Sequence, residues 1–166
     1  FFMNKFRAPS GGGEIFVAPP LPGDLAALEL SGESLLVQSG SFVASENTIA
    51  IDTKWGGAKG FFSGASLFLL KCDGHGPLFF SAYGGIHAVD VGPGGYVCDT
   101  GHIVGFTSGL QYQISKVGGL KSLFLSGEGL VCRFQGQGRL WMSTRNPGSL
   151  AAFVHPFRRI EQRSNN

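Results

Sequence analysis

Phe62-Ser63-Gly64-Ala65-Ser66-Leu67 can be laid over Leu125-Ser126-Gly127-Glu128-Gly129-Leu130 at a separation of 63 residues. Working outward, Gly74-His75-Gly76-Pro77-Leu78-Phe79-Phe80-Ser81 falls over Gly136-Gln137-Gly138-Arg139-Leu140-Trp141-Met142-Ser143 at 62. Upstream, Gly56-Gly57-Ala58-Lys59 meets Gly118-Gly119-Leu120-Lys121, and Ser39-Gly40-Ser41-Phe42-Val43 meets Thr100-Gly101-His102-Ile103-Val104. Gly23-Asp24-Leu25-Ala26-Ala27-Leu28-Glu29-Leu30 meets Gly84-Gly85-Ile86-His87-Ala88-Val89-Asp90-Val91. An offset that stays between 61 and 63 across all these blocks marks an internal repeat.

Two nearly complete units are therefore expected, with joints near Gly76 and Gly138. A third copy of the hairpin is expected at the start, where Phe2-Met3-Asn4-Lys5 resembles Phe68-Leu69-Leu70-Lys71 and Glu14-Ile15-Phe16-Val17-Ala18 resembles Pro77-Leu78-Phe79-Phe80-Ser81. The sequence opens Phe1-Phe2-Met3, so the rest of the first unit, roughly fifty or more residues, is expected upstream. The reading is one repeat-built β domain over residues 1–156, in pseudo-threefold arrangement, and a tail over 157–166.

Within a unit the pattern is that of strands. Leu110-Gln111-Tyr112-Gln113-Ile114, Leu28-Glu29-Leu30 and Val89-Asp90-Val91 alternate, which buries one face of a pleated strand. Glycine-rich breakers recur at Pro22-Gly23, Ser39-Gly40, Gly56-Gly57, Gly84-Gly85, Gly92-Pro93-Gly94-Gly95 and Gly118-Gly119, as in a sandwich, barrel or repeated hairpin. Gly74-x-Gly76 and Gly136-x-Gly138 read as hairpin turns, since neither leads into a helix or a Lys-Ser/Thr that would make a phosphate loop. Only the end reads as helical: Leu150, Phe153, Phe157 and Ile160 are spaced for one helix face, with Ser149 as N-cap, and Pro156 limits the helix to one or two turns packed on the β-body.

Composition narrows the class. Of the 166 residues 43 % are apolar and 14 % charged, with 27 glycines, which suits one all-β domain with buried contact surfaces. A net charge of +2 gives no electrostatic footprint for nucleic acid, and the basic run Arg158, Arg159 and Arg163 reads as a solvated tail. Cys72, Cys98 and Cys132 are irregularly spaced and read as reduced, buried thiols of a cytoplasmic protein, without disulfide.

Cys72-x-x-His75 and Cys98-Asp99-x-x-His102 are fragments of a metal site, but a closed zinc site needs four ligands. The repeat aligns Cys72 with Phe6 or Gln135, His75 with Gln137, Cys98 with Gln38 and His102 with Ser41, so no metal is expected. No Gly-x-Ser-x-Gly elbow supports a Ser/His/Asp triad, and Asp73 and Asp99 read as turn residues rather than a carboxylate pair. Phe16, Phe79, Phe80, Tyr112 and Trp141 read as core, lacking the interleaved Lys or Arg of a nucleic-acid platform. Hence no catalytic, cofactor or metal residue is assigned.

The Pro22-Gly23-Asp24 element, Trp55-Gly56-Gly57 before Phe62-Ser63-Gly64, Ser126-Gly127-Glu128-Gly129-Leu130, Phe134-Gln135-Gly136-Gln137-Gly138 and Thr144-Arg145-Asn146 resemble the "altered inheritance of mitochondria" family, formerly a domain of unknown function, from about Phe1 to Pro156. Gln137 stands where that pattern has Pro, and Ala65-Ser66 where it has Glu-Gly. The resemblance implies a fold similar to the units of the tryptophan RNA-binding attenuation protein, a short double-stranded β-helix, and an N-terminal segment before Phe1. It implies mitochondrial membrane organisation for eukaryotic members and no agreed activity for bacterial ones. Fold analogy alone assigns no function. The expectation is a non-enzymatic scaffold that forms a homo-oligomer and binds a protein or membrane-associated partner. The alternative is a small-ligand or RNA-binding module using a β-helix groove.

Overall fold

The alternation in Leu25-Ala26-Ala27-Leu28-Glu29-Leu30 produces strand β1 (Leu25–Gln38), with Leu28 and Leu30 turned inward and Glu29 outward. Further along, Leu35, Leu36 and Val37 are all buried, because this half of β1 lies between two neighbours and has core on both faces. Leu35 and Val37 pack with Leu70, Leu78, Phe80 and Trp141 on one side, whereas Leu36 packs with Leu69, Phe106, Phe134 and Leu140 on the other. The computed structural model describes residues 3–53, 61–62, 67–116 and 130–158.

After β1 come β2 (Phe42–Ser45), β3 (Ile49–Asp52), β4 (Phe61–Phe62), β5 (Leu67–Ser81), β6 (Ile86–Val91), β7 (Tyr96–Asp99), β8 (Ile103–Thr107), β9 (Gln111–Lys116), β10 (Leu130–Gln135), β11 (Gly138–Ser143) and helix α1 (Pro147–Val154). Among the described residues, one antiparallel sheet runs β2-β5-β1-β8-β11-β6, with β3 and β4 also on β5. A second, three-stranded sheet runs β7-β10-β9. Among the described residues the structure is thus mostly β, with one short α-helix, α1.

The two halves share a pairing scheme. In β1·β5 the partners run from Leu25↔Ser81 to Leu30↔Gly76, and in β6·β11 from Ile86↔Ser143 to Val91↔Gly138. Adding 61 to the first residue and 62 to the second converts one set into the other. The same shift turns Val37↔Leu70 into Cys98↔Cys132, and Ile51↔Cys72 into Tyr112↔Phe134. It also carries the irregular β2·β5 ladder, Phe42↔Phe80 then Ala44↔Phe79, onto β8·β11, Ile103↔Met142 then Gly105↔Trp141, slip included.

Several expectations are corrected. Residues 3–22 contain no strand, so the N-terminal hairpin copy is not formed, and Phe16 is exposed rather than core. Neither Gly-x-Gly is a hairpin turn. Gly74 and Gly76 lie inside β5, both at positive φ, where the β1·β5 register slips between Ser31 and Ser34. Gly136 separates β10 from β11, which belong to different sheets. The helix is capped by Asn146, not Ser149, and none of its residues is buried, so it does not pack on the β-body. Its end at Val154, before Pro156, is as expected. Ser63-Gly64, Ser126-Gly127, Trp55-Gly56-Gly57, Gly118-Gly119, Arg159, Ile160 and Arg163 lie outside the described residues.

Candidate functional site

The segments that precede β1 and β6 come together. Gly23 and Gly84 form a parallel bridge, Asp24 N–H donates to the Gly84 carbonyl at 2.8 Å, and Ala82 N–H donates to the Asp24 carbonyl at 3.1 Å. The last bond recurs, shifted by 62 and 61, as Thr144 N–H to the Gly85 carbonyl at 2.9 Å. Backbones approach this closely because Gly23 has no side chain: a Cβ there would sit 2.1 Å from the Ala82 oxygen. Asp24 and Thr144 reinforce the junction, accepting from Ile86 N–H at 2.9 Å and Gly85 N–H at 2.7 Å.

Beside this junction lies a cleft of about 520 Å³. Pro20, Ser81 and Ser143, spaced by 61 and 62, all line it, as do the equivalent pairs Gly40 and Gly101, Gln38 and Asp99, and Tyr83 and Arg145. The Arg145 guanidinium carbon stands 6.0 Å from the centre of the Tyr83 ring, at the outer limit of a cation–π contact. Asp99 caps the short 3₁₀ turn Thr100–His102 through a 2.7 Å bond from Gly101 N–H. Asn146 caps α1, its Oδ1 accepting from Gly148 and Ser149 N–H, while its Nδ2 lies where a Cβ on Gly101 would be, 2.1 Å away. Arg145 and Asn146 enter the sequence reading only as part of a motif. The signal that finds Arg145 is its register with Tyr83, a charge where the first unit has an aromatic.

The residues weighed for chemistry are scattered. Cys72, Cys98 and Cys132 are buried free thiols. Burial first, and the Asp73 charge beside Cys72, the Asp99 charge beside Cys98 and Cys98 beside Cys132 second, push each thiol up to about 12. The pairing registers align Cys98 with Val37 rather than Gln38, and Cys72 with Phe134 rather than Gln135 or Phe6; each cysteine stands where the other unit has an ordinary core residue. Asp73 and Asp99 lie in separate sheets. Burial raises the Asp73 carboxyl, but bonds from Lys71 and Ser34 outweigh that and hold it below its ordinary value. His102 shares a 2.7 Å contact with the Ser143 carbonyl, and His75 is exposed. Among the described residues, no three His, Cys, Asp or Glu side chains gather in a metal-binding group.

A second cavity, about 770 Å³, lies between the N-terminal segment, with Met3, Phe6, Ile15 and Val17, and the β2–β3 face. Both walls carry apolar side chains, with Asn4 and Lys5 on one and Ser45, Glu46 and Asn47 on the other.

The described residues form an all-β body of paired ladders that converge on a glycine junction. The family model for mitochondrial biogenesis AIM24 matches residues 1–145, and the chain belongs to that family. It is similar to an uncharacterized protein of Streptococcus pyogenes serotype M6, 28 % identical over 138 residues covering 82 % of this chain and 56 % of the relative. It is also similar to a crystal structure of a Streptococcus pyogenes protein, with a TM-score of 0.73 and 25 % identity over 85 % of this chain and 63 % of that one. The chain thus spans little more than half of the curated relative it matches. Among the described residues, no helix is long and apolar enough to cross a membrane.

Proposed function

We propose that this chain is a non-enzymatic scaffold that self-associates into a homo-oligomer and offers apolar contact surface to a protein or membrane-associated partner. One observation carries the reading: Phe6, Phe16, Phe153 and Phe157 are 72, 94, 69 and 75 % exposed while the two cores are filled. Burying a Phe side chain is worth roughly 1.5–3 kcal/mol, so four left in water, two of them with tilted rings 5.8 Å apart, favour association. The thiols at about 12 act as core hydrophobes rather than nucleophiles, which supports a binding role and suits a reducing, cytoplasmic compartment. The bacterial relative favours a bacterial member over a mitochondrial one.

The same proposal reads the body as tandem units about a pseudo-threefold. The shifted ladders and the recurring junction bond support it, as do Pro20, Ser81 and Ser143 around one cleft. Sedimentation velocity tests self-association. The chain is expected to sediment as a dimer or larger at tens of micromolar, and F153S/F157S to shift it toward monomer with an unchanged far-UV spectrum. A monomeric parent chain overturns the reading.

A further inference from the structure

The junction cleft plays no part in the self-association proposed above, and we propose that it binds a small molecule carrying an acidic head group, carboxylate or phosphate, on an apolar body. Its volume of about 520 Å³ falls within the roughly 300–1,000 Å³ of small-molecule sites. Leu21, Ala82, Ile103 and Pro147 supply apolar wall.

The polar groups set the head-group chemistry. Pro22, Tyr83 and Arg145 occupy equivalent places at the starts of successive units, spaced by 61 and 62. A spacer at the junction is satisfied by proline or an aromatic ring, so packing does not require the guanidinium at the third place. Among the described residues the ion pairs are Lys71–Asp73 and Arg139–Asp90, and Arg145 belongs to neither; its contact is the Tyr83 ring. A contact of that kind holds the guanidinium by the ring while leaving N–H groups available for bidentate contact with a carboxylate or phosphate. Asn146 adds a donor in the same wall. Its Oδ1 is committed to the helix cap, which leaves Nδ2 over Gly101 with no acceptor among the described residues. The helix N-terminus itself is not the binding element, because Asn146 already caps the Gly148 and Ser149 N–H groups. Asp99 is the single carboxylate of the lining, and its Oδ1 is held by Gly101 N–H. Asp99 Oδ1 lies by Gly101 next to Asn146 Nδ2, so the charge that selects an acidic head is that of Arg145.

The test is a titration of the full chain, followed by amide chemical shifts, with phenyl phosphate, benzoate and uncharged benzamide. At least one of the two acids is expected to give saturable shifts at Thr100 and Gly101, and the stronger names the head group; benzamide gives none. Arg145→Gln, at an exposed position, is expected to weaken binding at least ten-fold, while Arg139→Gln leaves it unchanged. F153S/F157S keeps the binding, which separates this inference from self-association. Absence of saturable shifts with both acids, equal affinity in Arg145→Gln, or equal binding of benzamide overturns it.

Discussion

The two units use one pairing scheme, yet the first runs its strands unbroken through the joint and the second splits them between sheets. At the first joint Ser31-Gly32-Glu33 faces Gly74-His75-Gly76, and β1 and β5 slip in register but continue. At the second, Gly92-Pro93-Gly94-Gly95 faces Gly136-Gln137-Gly138, and β6 and β11 stay in the large sheet while β7 and β10 join the small one. Pro93 stands where the first unit has Gly32. Proline removes a ladder donor and fixes φ, and a turn closes over it with Gly95 N–H donating to the Gly92 carbonyl at 2.9 Å. The first joint also carries Ser34, Lys71 and Asp73 as a bonded group, where the second has Gly95, Arg133 and Gln135. The apolar alternation on either side therefore sets which residues pair, and the joint decides whether the sheet bends or divides.

The largest expected difference lies between the two cores, each of which draws residues from both halves. Phe106 meets Phe134 at 5.0 Å and Tyr112 at 5.1 Å, both edge to face, whereas Phe80 meets Trp141 at 5.7 Å. Phe106→Ala should cost about 3–5 kcal/mol, and more than Phe80→Ala, by urea denaturation. A larger loss for Phe80→Ala would mean that the aromatic trio is not the tighter core.

Next come the equivalent glycines Gly40 and Gly101. A methyl on Gly101 meets the Asn146 amide at 2.1 Å and displaces the helix cap, at about 0.5–2 kcal/mol, whereas on Gly40 the nearest atom is the end of the Gln38 side chain at 3.0 Å. Thermal melts of Gly101→Ala and Gly40→Ala should rank in that order; equal melting temperatures would detach Asn146 from Gly101.

The joints differ in acid sensitivity. Asp73 titrates below its ordinary value in the fold, so it contributes stability above the unfolded carboxylate pKa of about 3.9 and loses it as pH falls through the folded one. Being partly exposed, it is worth under about 1 kcal/mol. Asp73→Asn should therefore be slightly less stable at pH 7, with the gap closing in acid, and Gln135→Asn in the second unit should show no such dependence. A gap independent of pH would remove the Lys71–Asp73 bond from the account.

The smallest effect concerns Cys98 and Cys132, which face each other where the first unit pairs Val37 with Leu70. Cys98→Val should change stability by less than about 1 kcal/mol, a substitution of one small core hydrophobe for another. The native chain should resist a thiol reagent at pH 8 that modifies all three cysteines in urea. Rapid native labelling would place a thiol outside the core.

The strands were legible because alternation reports a pleated strand directly: Leu28-Glu29-Leu30 and Val89-Asp90-Val91 fall within β1 and β6. The joints were less so, since Gly-x-Gly permits a hairpin, a slip within a strand or a step between sheets, and only the partner strand selects among them. The N-terminal resemblance rests on apolar residues, Phe2-Met3 and Ile15-Phe16-Val17, without the glycine framework that anchors the other copies, and no strand forms there. Asn146 displaced Ser149 as cap because Pro147 fits the first helical position. The cleft was not visible as a motif, because its lining comes from turns some sixty residues apart and joins only when the units meet.

The most direct test of a pairing scheme used twice is the set of interstrand nuclear Overhauser contacts of the intact chain in solution. The account predicts contacts joining Ala27 with Phe79 and Val37 with Leu70, and their counterparts joining Ala88 with Trp141 and Cys98 with Cys132. A one-residue slip in either set turns every side chain of that strand to the opposite face, and its observation would contradict the account.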